Sequence, residues 1–339
     1  MTTGHVHTPH RGGVAALAVG VLQSRYAGAL LSLLIISVLL YVSQPVFLTW
    51  PNLMNIVKSN SVPFVLALGV TFVVISGTVD LSFASATTAS AMVFGLLLVA
   101  GVPLPLAAIL AIVAGAVLGM INGALVSYAN ISFFVVTLGT LSVFQSVALI
   151  MNDGGSISVF SQPGFRALNQ LVNGNIGPVP IILVFDLVLF LIAGGVLRYT
   201  AFGRSLYSIG SNREAARLNG INVKRVLFLV FVISGVMAGL ASVVQVGRLT
   251  VSSPEVDMNL LLTVLAAVLI GGTSMTGGEG GVLGTLIGVL FLGVVQNGLT
   301  LMDVSSFWQG TLSGGILIFS VWLGSVRGML RARRQAKLD

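Results

Sequence analysis

The chain of 339 residues is 56% hydrophobic and only 7% charged. Soluble domains carry about 25% charged residues, so this composition excludes an ordinary soluble protein and requires an apolar surrounding medium. The net charge of +7 is therefore interpreted as a sign of membrane orientation rather than of nucleic-acid binding, and the absence of cysteine excludes disulfides and thiolate metal sites.

The polar segment 1–25 comes first and is predicted to be a cytoplasmic tail. Its histidines, His5, His7 and His10, are assigned to a disordered tail rather than to a metal site. The apolar run from Ala27 to Val42 comes next, and no small-residue cleavage site follows it. We therefore predict an uncleaved first transmembrane helix rather than a signal peptide.

Ten apolar runs are predicted to cross the membrane, since a helix of about 20 apolar residues spans the hydrocarbon core. They lie near 27–43, 62–78, 84–101, 104–127, 131–151, 178–197, 226–247, 260–275, 281–300 and 308–325. The amphipathic stretch 51–61 is predicted to lie outside the hydrocarbon. Short connections such as 101–105 leave re-entrant or broken helices open. The sequence thus predicts an all-α polytopic membrane protein.

Basic residues divide the chain into three regions. Of sixteen Lys and Arg residues, two lie in segment 1–25, six in the connection 198–225 and five in segment 327–339. Ten spans place these segments on one side, which is the cytoplasm by the positive-inside rule. We predict a tail over 1–25, a permease domain over 26–326 with the loop 198–225, and a basic tail over 327–339, with both termini cytoplasmic in a bacterial inner membrane.

An internal repeat joins the two halves of the chain. The motif Ser-Phe-Phe-Val-Val-Thr-Leu at 132–138 recurs as Ser-Phe-Trp-Gln-Gly-Thr-Leu at 306–312, and an Asn-Gly pair precedes each copy. Five predicted spans separate the copies, so the second copy is inverted. Two inverted halves are a common transporter architecture. Chance similarity between Gly- and Leu-rich segments is the alternative.

Glycines at four-residue spacing mark two predicted spans, with Gly115, Gly119 and Gly123 on one and Gly235 and Gly239 on the other. Small residues at this spacing allow helix backbones to approach closely. The two readings are packing within one subunit and contact between two subunits.

The connection 198–225 carries the clearest motif. Glu214 to Leu218 is predicted to be a short helix, with Asn212 as its N-cap and Gly220 in the C-cap role. Such a helix between two spans lies at the membrane surface and can dock a cytoplasmic partner. The alternative is an ordinary basic loop.

This connection resembles the coupling loop of permease subunits of ribose-type carbohydrate ABC importers. The matching residues are Thr200, Phe202, Gly203, Arg204, Gly210, Asn212, Ala215, Ala216, Gly220 and Ile221. Asp80-Leu81-Ser82, Asn122-Gly123, the segment 134–140 and the Gly-rich segment 271–278 also resemble family motifs. Glu279 departs from the pattern, because the family usually has Arg there.

The resemblance implies a type II-like ABC importer permease that moves a small polar solute, most simply a monosaccharide. It implies a second permease subunit, a homo- or heterodimer partner, a separate ABC ATPase that binds ATP and Mg, and an extracytoplasmic substrate-binding protein. The loop 152–177 is the candidate contact for that protein. The ATPase-coupling residues would be Arg204, Asn212, Glu214, Ala215, Ala216, Arg217 and Gly220.

The residues themselves agree that this chain does not bind nucleotide in the usual manner, because no lysine follows the P-loop spacing. No catalytic constellation is present either, so we expect no enzyme, no metal site and no cofactor on this chain. An ion-coupled secondary transporter is the alternative function. It would need intramembrane coupling groups, for which Asp186 is nearly the sole candidate.

Charged and aromatic residues inside the predicted spans are the candidates for the translocation pathway, because intramembrane charges are costly and usually functional. Asp186 could line the pathway, face a partner helix or reach water, and Asp80 could cap a helix or sit in a gate. The aromatic residues occupy equivalent places in the two repeats. The predicted pathway or gate residues are Asp80, Asn122, Phe133, Phe134, Thr137, Asp186, Asn297, Phe307 and Trp308.

Overall fold

The structure, a computed structural model, describes residues 26–305 and 307–335. The predicted tail 1–25 and the last four residues of the tail 327–339 lie outside the described residues. Within the described part the chain is almost entirely α-helical. The helices are α1 (Ala27–Ser43), α2 (Trp50–Ile75), α3 (Phe83–Val99), α4 (Leu104–Ser127), α5 (Phe133–Ile150), α6 (Phe165–Asn173), α7 (Ile181–Tyr199), α8 (Ala201–Ser211), α9 (Arg213–Leu218), α10 (Val223–Leu249), α11 (Met258–Ile270), α12 (Val282–Leu301) and α13 (Phe307–Gln335).

Six of these helices, α2, α4, α5, α7, α10 and α12, are long and apolar enough to cross a membrane. Three shorter apolar helices, α1, α3 and α11, accompany them. Each of the ten predicted spans overlaps a helix, and α13 continues well into the predicted tail, as far as Gln335. The described chain is therefore a multi-pass helical membrane protein.

Two short antiparallel strand pairings lie outside the helices. Strand β1 (Ile157–Ser158) pairs antiparallel with β4 (Val251–Ser252), and β2 (Asn175–Ile176) pairs antiparallel with β3 (Val179–Pro180). Together with α6 they give regular structure to the predicted loop 152–177. A short 3₁₀ helix (Pro45–Leu48) joins α1 to α2.

Residues 51–61, predicted to lie outside the hydrocarbon, are the first half of the continuous helix α2, which therefore begins well before the predicted span 62–78. Pro63 lies inside this helix and has no N–H to donate to the carbonyl of Ser59. The guanidinium of Arg248 donates to that carbonyl at 3.2 Å and to the Ser59 hydroxyl at 3.0 Å. A tertiary contact thus satisfies the carbonyl that proline frees, as backbone in a membrane requires.

Helices α2 and α3 lie at the centre of the bundle. Thirteen of the seventeen residues of α3 are buried, although the helix is rich in Ser, Thr and Ala. Three of its hydroxyls, those of Ser85, Thr87 and Thr88, bond to nearby backbone carbonyls, as Thr87 does to the carbonyl of Phe83 at 2.8 Å. Burial among other helices explains why so polar a span is tolerated.

The glycine repeats form a seam inside this chain. A Cβ placed on Gly115 would overlap Gly235 and Gly239, and a Cβ placed on Gly119 would overlap Phe231 and Gly235. Helices α4 and α10 therefore meet backbone to backbone, and packing within the subunit is the correct reading of the spacing.

The connections between the helices lie at two opposite ends of the bundle. At one end the connections 76–82, 200–222 and 271–281 touch one another, since Gly278 N donates to Ile75 O and Tyr207 Oη donates to Gly280 O. At the other end Trp50 donates to Pro178 O, and β1 pairs with β4. This alternation is what an even number of crossings between the predicted cytoplasmic segments requires.

Candidate functional site

Two helices, α8 and α9, occupy the predicted coupling loop, where the sequence predicted one. Thr200 caps α8 by accepting the amide of Gly203, and Asn212 caps α9 by accepting the amide of Ala215 at 2.9 Å. Gly220 follows α9 with φ of +80°, a conformation that glycine adopts without strain. The predicted N-cap and C-cap of the short helix are therefore confirmed.

Helix α9 has one face toward the protein and one toward solvent. Ala216 is only 3% exposed and packs with Ile209 and Leu227, whereas Leu218 is 77% exposed. Ala215 and Arg204 are also exposed. An exposed leucine on a fixed helix gives this end of the bundle an apolar contact point.

An ion pair crosses the exposed face of α9. Glu214 accepts a hydrogen bond from Arg217 at 2.8 Å, one turn along the helix. This hydrogen bond and the charge of Glu214 raise the pKa of Arg217 above its usual value. Exposed pairs of this kind contribute little to stability, so the pair serves to present fixed charges beside Leu218.

Helix α8 is clamped to the bundle through glycine backbone. A Cβ placed on Gly210 would overlap the carbonyl of Ile75 and the amide of Gly278, which are themselves bonded at 2.9 Å. Gly77 and Gly277 approach at the same point. We name the contact of Gly77, Gly210, Gly277 and Gly278 the glycine clamp. It joins α8 to the end of α2 and to the connection before α12.

Asp80 lies three residues beyond Gly77 and is 3% exposed. Its Oδ1 accepts the amide and the hydroxyl of Ser82 at 2.9 and 2.7 Å, and its Oδ2 accepts the hydroxyl of Ser234 on α10 at 2.7 Å. Asn122 Nδ2 donates to Ser82 Oγ at 2.6 Å. Two predicted pathway residues, Asp80 and Asn122, thus belong to one buried network. Asp80 bonds no amide of helix α3 beyond Ser82, so it does not act as the helix cap.

Two other predicted pathway residues bond to helix α2. Asp186 on α7 is buried and accepts the hydroxyl of Ser61 at 2.8 Å. It borders a crevice of about 300 Å³ between α2, α7 and α12. Asn297 exchanges two hydrogen bonds of 2.9 Å with Asn52. Both residues therefore connect helices to one another.

The predicted gate residues lie at opposite ends of the bundle. Phe134 at the start of α5 is 55% exposed, and Trp308 at the start of α13 is 62% exposed. Phe133 is half-buried, and Thr137 is buried and bonds to the carbonyl of Phe133. Phe307 begins α13. Phe134 and Trp308 face outward from the single chain, so any gate they form needs a second subunit.

A concave apolar surface that encloses a volume of about 450 Å³ lies beside Trp308. It is lined by residues of α12, of α13 and of the connection between them, including Leu299, Thr311 and Gly315. The surface is nearly without polar groups, so it suits an apolar side chain better than a sugar.

Sequence reasoning missed Ser234, Leu218 and Arg248. Ser234 is a single hydroxyl in an apolar span, and such hydroxyls are usually bonded within their own helix. Leu218 was assigned only to the helix α9, and its exposure could not be deduced from six residues. Arg248 is one of three basic residues outside the predicted cytoplasmic segments, and this exceptional position is the signal in the sequence that could have identified it.

Comparison with known proteins shows which protein family this chain matches. The family described as "Branched-chain amino acid transport system / permease component" matches residues 52–321. No solved structure matches this chain.

Three curated relatives illustrate the similarity. The Ribose import permease protein RbsC of Bacillus subtilis (strain 168) is 35% identical over 90% of this chain and 93% of its own length. The D-allose transport system permease protein AlsC of Escherichia coli (strain K12) is 34% identical over 88% and 91%. The L-arabinose ABC transporter permease protein AraH of Azospirillum brasilense is 32% identical over 89% and 88%.

Proposed function

The chain belongs to the family of branched-chain amino acid transport system permease components, and from its similarity to sugar permeases we infer that it is the membrane-spanning subunit of an ABC importer for a monosaccharide. The relatives are named for ribose, D-allose and L-arabinose transport and match nearly the whole chain. The observation that carries the mechanism is the capped helix α9, which presents Leu218 to solvent and is fixed to the bundle behind it. Nothing in the comparisons favours the ion-coupled alternative.

The proposed mechanism is alternating access driven from outside this chain. ATP and Mg bind to separate ATPase subunits, which contact α9 and move α8 when they close. The glycine clamp passes that movement to α2 and to the connection before α12. The outward-facing aromatic residues of α5 and α13 suit a pathway formed between two permease subunits. The segment 152–177 with helix α6 is the proposed contact for the substrate-binding protein.

The proposed topology has ten crossings in two inverted, type II-like halves, with both termini in the cytoplasm. The basic connections and the contacts at each end of the bundle support it. A reporter fused after Arg213 should indicate the cytoplasm, and a reporter fused after Asn169 should indicate the outside. Alkaline phosphatase and fluorescent-protein fusions provide paired readouts. Both reporters on one side would contradict the ten-crossing topology.

Uptake measurements test the function itself. Cells without their own pentose and allose uptake should accumulate labelled D-ribose, D-allose or L-arabinose when they express this chain with the ATPase and binding protein of the same importer. Uptake should require ATP hydrolysis, so replacing the P-loop lysine of the ATPase should abolish it. Uptake that survives this replacement but stops when a protonophore collapses the proton gradient would indicate a secondary transporter.

A further inference from the structure

Asp80 is a buried carboxyl group that the proposed transport cycle leaves without a role. Its three hydrogen-bond donors come from two places in the chain, Ser82 in the connection 76–82 and Ser234 on α10. Ser82 in turn holds Asn122 on α4. Among the side chains that the structure describes, no basic residue pairs with Asp80. The carboxyl group therefore depends on hydroxyl and amide donors alone, and removing one of them is costly in a buried site.

The connection that carries Asp80 is held from both sides. Gly77 lies in the glycine clamp against α8, and three residues later Asp80 bonds to α10. Helix α10 also packs against α9 through Leu227 and Ala216. A displacement of α8 and α9 thus reaches α10 by two routes, one of which passes through Asp80 and Ser234.

Helix α10 extends from α9 at one end to the segment 152–177, which contains α6, at the other. Its outer end contacts α6, since Asn169 donates to Gly247 O and Leu168 packs on Gly247. Its middle lies on the glycine seam with α4, where the two helix backbones are in close contact. A helix of 27 residues is about 40 Å long, so α10 spans the distance between these two contacts.

The same network contains an acceptor without a donor. The amide oxygen of Asn122 is buried and has no hydrogen-bond partner. Ser82 fixes this arrangement, because its hydroxyl donates to Asp80 and must accept the Asn122 amide. The network therefore holds one buried acceptor that is unused in the arrangement in which Asp80 accepts from Ser82 and Ser234.

We propose that the Asp80–Ser234 hydrogen bond is a latch that holds α10 in the position seen in the structure, and that its release couples the ATPase contact at α9 to the segment 152–177 at α6. Asp80 and Ser234 are positioning residues, since they touch neither nucleotide nor transported solute. Hydrogen bonds in a buried site are made or broken within a small displacement, which suits a two-position element. The proposal rests on the proposed function of this chain as an importer permease.

The test is Ser234→Ala in the complete transporter, reconstituted in lipid vesicles with its ATPase and binding protein. Basal ATP hydrolysis should rise, and the ratio of hydrolysis with substrate-loaded binding protein to basal hydrolysis should fall about fivefold or more, within the ordinary range of allosteric coupling. Ser242→Ala is the matched control. Ser242 is also a buried serine of α10, but its hydroxyl bonds to Gly239 O within the same helix. The control should leave the ratio unchanged.

A second variant keeps the latch testable if Ser234→Ala assembles poorly. Asp80→Asn, measured alone and together with Ser234→Ala, should lower the same ratio, and the double variant should be no worse than the stronger single variant. Additive effects, an unchanged ratio in Ser234→Ala, or an equal fall in Ser242→Ala would overturn the latch. Wild-type vesicles distinguish the two proposals, because absence of ATP-dependent uptake of the labelled sugars there would remove the proposed function instead.

Discussion

Replacing Leu218 by Asp should abolish co-purification of the ATPase subunit while the permease still inserts and folds. Leu218 is the last residue of α9 and is 77% exposed, so its replacement removes little contact within this chain. Exposed substitutions usually change stability by no more than about 0.5 kcal/mol. A carboxylate buried without a partner at a protein interface costs several kcal/mol, about 3–5 when a buried charge is left uncompensated. ATPase affinity should therefore fall at least about a hundredfold.

Leu171→Asp is the matched control for this experiment. Leu171 is an exposed leucine on α6, at the opposite end of the bundle. It should leave ATPase binding unchanged. The measurement is ATPase co-purification in detergent, followed by ATP-dependent uptake in vesicles. Normal ATPase binding by Leu218→Asp would show that α9 is not the ATPase contact.

Ala216 is unsuited to the same test, although the sequence predicted it to be an interface residue. Its side chain packs against Ile209 and Leu227 of this chain. Ala216→Asp would place a carboxylate inside the bundle and disrupt the packing of α9 against Ile209 and Leu227. Loss of ATPase binding in that variant would therefore carry no information about the contact surface.

Gly210→Ala should reduce uptake at least about tenfold while ATPase binding is retained. A Cβ at this position overlaps the carbonyl of Ile75 and the amide of Gly278, so the hydrogen bond between them must open. Overpacking of this kind costs about 1–3 kcal/mol. Helix α8 would then sit away from α2, while the exposed face of α9 stays intact. ATP hydrolysis should continue without transport.

Gly195→Ala is the control for the glycine clamp, because nothing lies within 4 Å of a Cβ placed on Gly195. It should leave both hydrolysis and uptake unchanged. Hydrolysis and uptake that stay coupled in Gly210→Ala would show that movement does not pass through the clamp.

The helical architecture was predictable because apolar runs of sufficient length leave few alternatives in a membrane. Residues 51–61 show what that reasoning leaves out. Their amphipathic pattern does not reveal that they continue into the helix α2 or that their polar side chains bond to distant partners: Asn52 to Asn297, Lys58 to the carbonyl of Asn173, and Ser61 to Asp186. These partners are more than a hundred residues away, and no local pattern reveals them.

The candidate site was predictable where it depends on local rules and not where it depends on tertiary contacts. Asn212 and Gly220 could be assigned as caps, because capping is decided within one turn of helix. The burial of Ala216 and the bond between Asp80 and Ser234 could not, because they depend on how α9 and α10 pack. The glycine clamp was hidden for the same reason, since it brings together three connections from separate parts of the chain.

The burial of α3 bears on how the protein is made. Helices α2 to α5 leave the ribosome well before α10, yet α10 supplies the hydroxyl that bonds Asp80 and much of the surface that covers the Ser- and Thr-rich α3. Until α10 arrives, these polar groups would face lipid or the insertion machinery, where unsatisfied groups are costly. A nascent chain interrupted before residue 223 therefore lacks the element that completes its core. We expect membrane quality control to recognise such an incomplete helical bundle and to direct it to degradation.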